Sequence, residues 1–288
     1  MGLDISSING HELEGKKILL CITGSVSSME SPRIARELIK HGADVIPVLS
    51  NSASKLIGPE LLHWATGNET ITSLTGKMEH VQLANGGDDS ADLILIAPCT
   101  SNTIGKLAQG ISDDTISTIC TVGLGSNIPI VIASGMHEPM FENPILQNNI
   151  SILKKNNVTV VSPIFEHNKA KMASFHAILD EILSRLFIQD LSGKNILVTA
   201  GPTTEKIDPI RIITNKSSGK TGLALANEAK RRGANVTLIY GDGTEIPPTS
   251  IRTIRVSSSQ ELLDVTISEL SQIKYDFYFA SAAPSDFR

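Results

Sequence analysis

Short apolar runs recur along the chain, each closed by small or turn-forming residues and followed by an amphipathic stretch. Ile18-Leu19-Leu20-Cys21-Ile22, ending in Thr23-Gly24-Ser25, predicts a buried strand that runs into a tight turn. A helical pattern spans Arg33–His41 and stops at Gly42, and Val45–Leu49 predicts the next strand. Strands that are apolar at every position, rather than at alternate ones, belong to parallel sheets covered on both faces. Further strands of this kind are predicted at Leu93–Ala97, Ile128–Ser134 and Val158–Val161. Helices are predicted around Thr103–Gln109, Asp114–Val122 and Met172–Leu186.

The opening pattern then returns. Leu191–Thr203 echoes Leu13–Ser25, and Ala226–Val236 echoes Ala35–Val45, with 13 extra residues in the second strand-to-helix loop. Two units that each begin a sheet, this far apart, predict two α/β domains, residues 1–188 and 191–288, meeting near Gln189–Ser192. The second ends just after a predicted strand, so it is expected to be incomplete.

Composition narrows the function classes. The 288 residues carry 25 Lys and Arg against 30 Asp and Glu, a net charge of −5, which disfavours nucleic acid and anionic membrane partners. Aromatics at 4% leave little for base stacking, while 41% hydrophobic residues suffice for a core. Cys21, Cys99 and Cys120 form no CxxC pair and suit a reducing compartment. No apolar run approaches bilayer length, and the N-terminus lacks a secretory pattern, so a cytoplasmic protein is expected. Gly2 and Ser6 meet a loose myristoylation pattern that is too short to weigh.

Candidate chemistry gathers at strand ends. Gly24-Ser25-Val26-Ser27, Ser50-Asn51-Ser52 and Pro98-Cys99-Thr100-Ser101-Asn102-Thr103 each follow a predicted strand, and three hydroxyl-rich turns on one sheet edge suit a phosphate and a polyol. Ordinary helix capping explains any one of them equally well. No G-x-G-x-x-G follows a strand, which disfavours a dinucleotide. In the second half Ser217-Ser218-Gly219-Lys220 precedes a helix and suits an anion, but Thr214 stands where a P-loop needs glycine. None of the seven histidines forms an H-x-x-x-H pair, so no metal site is predicted. His80 and His137 remain as candidate acid–base groups, each also readable as surface or core filler.

These segments together resemble the bifunctional phosphopantothenoylcysteine decarboxylase / phosphopantothenate–cysteine ligase family of coenzyme A biosynthesis. The first part resembles its flavin-dependent decarboxylase through His80-Val81-Gln82-Leu83, Ala97–Thr103, Asp113–Thr118 and Ser134–Met140. Residues from 191 resemble its ligase through Ala200–Glu205, Ile207–Arg211, Thr214–Lys220 and Ala282–Arg288. The resemblance implies a Rossmann-like (flavodoxin-like) parallel-sheet flavoprotein domain followed by a second Rossmann-like α/β domain. It implies FMN held by Gly24, Ser25, Ser50, Thr100, Ser101 and Asn102, with His80 as active-site base. Met136 and His137 would contact the substrate. CTP, with Mg2+, would meet Ser217, Ser218, Gly219, Lys220, Ala282 and Asp286, with Asn215 at the acyl-cytidylate. The substrates implied are 4′-phosphopantothenoylcysteine for the first half and 4′-phosphopantothenate, cysteine and CTP for the second. The assembly implied is a homotrimer or a multiple of trimers. Loss of CO2 from a cysteinyl carboxylate leaves charge with no sink, which is why such an enzyme oxidises the thiol transiently at a flavin.

Two departures accompany the resemblance. His137 stands where the family usually has an asparagine that holds the substrate carboxylate. The flap stretch Ser162–Met172 lacks the family's cysteine, leaving Lys169, Lys171 or His167 as substitutes. The ligase half, lacking the pattern's later lysine-bearing segment, is expected to be inactive. The alternatives are a non-catalytic FMN-binding regulatory module and the same fold acting on another substrate, such as a peptide C-terminal cysteine.

Overall fold

The computed structural model describes residues 5–10, 12–166, 169–247 and 251–286. The chain divides into two compact units, Met1–Leu186 and Phe187–Arg288.

In the first unit the strands are β1 (Lys17–Ile22), β2 (Asp44–Leu49), β3 (Leu93–Cys99), β4 (Ile130–Ser134), β5 (Met136–His137), β6 (Thr159–Val161), β7 (Ile164–Glu166) and β8 (Lys169–Lys171). The helices are α1 (Ser31–Lys40), α2 (Pro59–Thr66), α3 (Glu79–Ala84), α4 (Ser101–Ala108), α5 (Thr115–Gly125), α6 (Glu138–Phe141), α7 (Pro144–Lys155) and α8 (Phe175–Leu186). A five-stranded sheet runs in the order β2-β1-β3-β4-β6, parallel throughout. Every residue of β3 is buried, as a central strand covered on both faces requires. One face packs Leu19, Cys21, Ile94 and Ile96 against Ile116, Ile119 and Cys120 of α5 and Ile104 of α4. Each such side chain contributes about 1.5–3 kcal/mol on burial. A small antiparallel sheet, β5-β8-β7, stands beside it.

The helices begin where the sequence offers caps. The Thr100 hydroxyl accepts from the Thr103 N–H at the start of α4. Asp114 and Ser117 form a reciprocal capping box on α5. Asn143 caps α7, with Pro144 at its first position.

The second unit holds β9 (Asn195–Pro202), β10 (Thr204–Lys206), β11 (Ile212–Thr214), β12 (Asn235–Tyr240), β13 (Arg252–Arg255) and β14 (Phe277–Ala283), with α9 (Lys220–Arg231) and α10 (Ser259–Gln272). Its parallel sheet has the order β13-β12-β9-β14. The extra residues of the strand-to-helix loop contain the antiparallel pair β10–β11.

Each sheet strand predicted in the first unit lies within two residues of an observed one, and each predicted helix within three. The pattern did not predict α2, α3, α6, α7 or the two small antiparallel sheets. No described helix is long and apolar enough to cross a membrane.

Candidate functional site

Strand order reverses between β1 and β3: the chain moves to β2 on one side of β1, then returns to β3 on the other. The loops leaving these two strands diverge and open a crevice at the sheet's carboxyl edge. The loops are tied to each other. The Thr23 hydroxyl donates to the Pro98 carbonyl at 2.9 Å and accepts from the Thr100 N–H at 2.9 Å. The Ser25 hydroxyl donates to the Gly135 carbonyl at 2.8 Å. Gly24 meets the loop after β2 so closely that a Cβ would lie 2.4 Å from the Ser52 Cβ, closer than real atoms approach.

The crevice has two lobes. The larger, about 780 Å³, is lined by hydroxyls and amides including Ser50, Thr72, Thr100 and Asn102, together with Lys106 and Asp114. The smaller, about 360 Å³, is lined by Ser25, Ser101, Met136, His137 and Lys171 among others. Gly24, Thr100 and Met140 line both. All six residues expected to hold a flavin phosphate and its polyol therefore border one crevice, as do Met136 and His137.

One charged cluster borders the larger lobe. The Lys106 ammonium bridges the carboxylates of Asp113 (2.7 Å) and Asp114 (2.8 Å). Hydrogen bonds from the ammonium to Asp113 and Asp114 raise its pKa. Burial alone would raise the Asp114 carboxyl, but Lys106 and the Ser117 N–H and hydroxyl outweigh it and hold it below the ordinary range. The sequence shows the Asp113-Asp114 pair without showing that Lys106, in the last turn of α4 and one short loop away, closes onto it. The cysteines take no part: Cys21, Cys99 and Cys120 are all buried. The hydrogen bond with Cys120, then burial, pushes the Cys21 thiol up, and burial does the same for Cys99.

His80 is placed elsewhere. It sits on α3, half-buried, with Nδ1 enclosed and unpartnered among the described residues, and it lines neither lobe. Of the three flap substitutes, Lys171 lines the smaller lobe and Lys169 pairs in backbone register with His137. His167 lies outside the described residues.

In the second unit order reverses between β9 and β14. The Asn215 amide donates to the carbonyls of Ala283 (3.3 Å) and Pro284 (2.9 Å), bringing Thr214–Lys220 and Ala282–Asp286 together at that edge. The Thr203 hydroxyl accepts from the Ser285 N–H at 2.8 Å. Gly219 is buried and Ser217 and Ser218 half-buried, while Lys220 and Asp286 are exposed.

Comparison with known proteins bears on both units. The flavoprotein family matches residues 6–187, and the family described as the DNA/pantothenate metabolism flavoprotein C-terminal domain matches residues 191–288. The chain is 46% identical over 284 residues to the coenzyme A biosynthesis bifunctional protein CoaBC of Thermococcus kodakarensis, covering 99% of this chain and 70% of that protein. The chain belongs to the CoaBC family. Its counterpart from Methanocaldococcus jannaschii is 38% identical over 276 residues, 96% of this chain and 66% of that one. The chain thus spans about two thirds of the length of these CoaBC proteins. The first unit's fold matches peptidyl-cysteine decarboxylase EpiD, with a TM-score of 0.53 at 29% identity over 58% of this chain and 98% of that one. The FMN-dependent cysteine decarboxylase SpaF matches with a TM-score of 0.51 at 26% identity, over 58% and 94%. The expected flavodoxin-like parallel sheet, and a second α/β unit following it in the chain, are what this CoaBC-family chain has.

Proposed function

We propose that the first unit binds FMN in the larger lobe and decarboxylates 4′-phosphopantothenoylcysteine to 4′-phosphopantetheine from the smaller one. The observation that carries the reading is a single crevice at the strand-order reversal whose two lobes share a wall of Gly24, Thr100 and Met140. A space of about 780 Å³ edged by hydroxyls, amides and the Lys106–Asp113–Asp114 cluster fits a ribityl phosphate with its ring system. Gly24, Ser50, Thr100 and Asn102 of the larger lobe would hold it, with Ser25 and Ser101 meeting it from the smaller lobe across the shared wall. Bound there, FMN supplies the acceptance and return of an electron pair that loss of CO2 beside a thiol requires.

The chain's own residues bind, orient and move protons. His137, exposed to the smaller lobe, holds the substrate carboxylate by a charge-assisted hydrogen bond when its imidazole is protonated. Met136 flanks the substrate. His80 takes the thiol proton. His80 lines neither lobe of its own chain, and in a homotrimer or a multiple of trimers it would meet the crevice of a second copy. Val26, Met29, Leu61 and Trp64 are exposed and give such an assembly apolar surface.

In the second unit Ser217, Ser218, Gly219, Lys220, Ala282 and Asp286 would contact CTP with its Mg2+, and Asn215 would face the acyl-cytidylate of a phosphopantothenate–cysteine ligase. The bonds joining Asn215 to the Ala282–Asp286 segment support this assignment. The three reduced cysteines suit the cytoplasm.

Titration of the purified chain with FMN, followed by release of CO2 from 4′-phosphopantothenoylcysteine, tests the reading. Tight binding with turnover is expected. Binding without CO2 release would leave a non-catalytic flavin module, and a chain that refuses FMN overturns the proposal.

A further inference from the structure

Tyr240, the last residue of β12, is fully buried. Its hydroxyl lies 2.9 Å from the Ser218 carbonyl and 3.0 Å from the Glu245 carbonyl. A phenol has one proton, so the two carbonyls share a single donor. The Glu245 N–H also reaches the Ser218 carbonyl, at 3.3 Å, closing the link between the two loops.

The ring is crowded as tightly as the hydroxyl. Gly219 sits at φ +84°, and a Cβ on it would fall 2.6 Å from the ring edge and from the hydroxyl oxygen. A Cβ on Gly243 would fall 2.3 Å from the same oxygen. The Arg255 guanidinium stands 4.7 Å from the ring centroid. Two glycine loops are thus wrapped around one phenol, at the carboxyl edge where ligands of such sheets lie.

We infer that Tyr240 is a positioning residue: its phenol fixes the Ser217–Lys220 loop in one conformation before any nucleotide arrives. The inference rests on the reading of that loop as a nucleotide site, and it adds a residue that none of the sequence motifs contains. Burial raises the Tyr240 pKa, so the hydroxyl keeps its proton and remains a donor through the neutral range.

Amide hydrogen exchange on the full chain, with and without CTP, tests this in Tyr240→Phe and Gly219→Ala. Tyr240→Phe keeps the ring and loses the tether, and Gly219→Ala keeps the tether's donor but lifts the loop off it. In Tyr240→Phe, amides 217–220 are expected to exchange roughly five- to tenfold faster, the worth of one hydrogen bond, and in Gly219→Ala, where the clash displaces the loop, at least as fast. Those of β9 and the body of β12 are expected to stay as in the wild type. Half-protection by CTP should need a concentration higher by a similar factor in Tyr240→Phe, with full protection regained at saturation. Wild-type exchange at 217–220 in either variant overturns the inference. Faster exchange spread over β9 and β12 in Tyr240→Phe would make the hydroxyl a general packing element, which also overturns it. If the variants loosen the loop locally but CTP protects nothing even in the wild type, Tyr240 stands as the tether and the nucleotide reading falls instead.

Discussion

At the residue scale the candidate active site depends on a few side chains whose roles separate cleanly by substitution. If His137 holds a carboxylate through hydrogen bonding, His137→Asn retains most turnover of 4′-phosphopantothenoylcysteine while His137→Leu loses it. Steady-state assays in which the two variants behave alike would remove that role. Asp114 has a second, separable job. Its carboxyl is held below the ordinary range in the folded chain, so its contribution is complete above the unfolded value near 3.9 and disappears as pH falls through the folded one. Asparagine caps a helix as well as aspartate but carries no charge for Lys106. Wild type should therefore melt above Asp114→Asn at pH 7, and the gap should narrow as pH falls below the ordinary carboxylate range and close only once Asp114 is protonated in the folded chain. Asp114→Ala loses the cap too, which costs about 1 kcal/mol more at either pH. Hydroxyls after strands were legible in the sequence because strand ends are where such sheets keep their ligands. The Lys106 bridge was not: Lys106 is near in sequence, but only the turn between α4 and α5 brings its ammonium onto Asp113 and Asp114.

At the scale of elements, the turn after β1 decides whether the crevice exists. Gly24→Ala must push the β1 turn and the Ser52 loop apart, because the obstructing atom is a Cβ fixed to backbone rather than a flexible tip. An unchanged far-UV circular dichroism spectrum with FMN affinity reduced at least tenfold in a fluorescence titration is the expected result. Parallel strands could be read from the sequence because burial on both faces leaves them apolar at every position. The pair β10–β11 could not: Ile212, Ile213 and Thr214 are exposed, so no periodicity sets them apart from a loop. Nor could α3, six residues long and without a side-chain cap, although it carries His80. The sequence thus identified His80 as a candidate base and gave no sign that it would line neither lobe.

At the scale of the molecule, the echo between Leu13–Ser25 and Leu191–Thr203 reflects two sheets, each with its own core and its own strand-order reversal. If His80 serves a neighbouring copy, sedimentation velocity should give a trimer or a multiple of it. Mixing inactive His80→Ala chains with inactive His137→Leu chains, under conditions that allow subunit exchange, should then restore part of the decarboxylase activity. A chain that sediments as a monomer while turning over substrate would rule this arrangement out. The wall common to the two lobes has an optical consequence. A carboxylate settling beside His137 presses on the same Gly24, Thr100 and Met140 that border the chromophore's berth, so its arrival should perturb the visible absorption band. The molecule would then carry its own indicator dye, and occupancy could be followed by colour alone before any bond is broken.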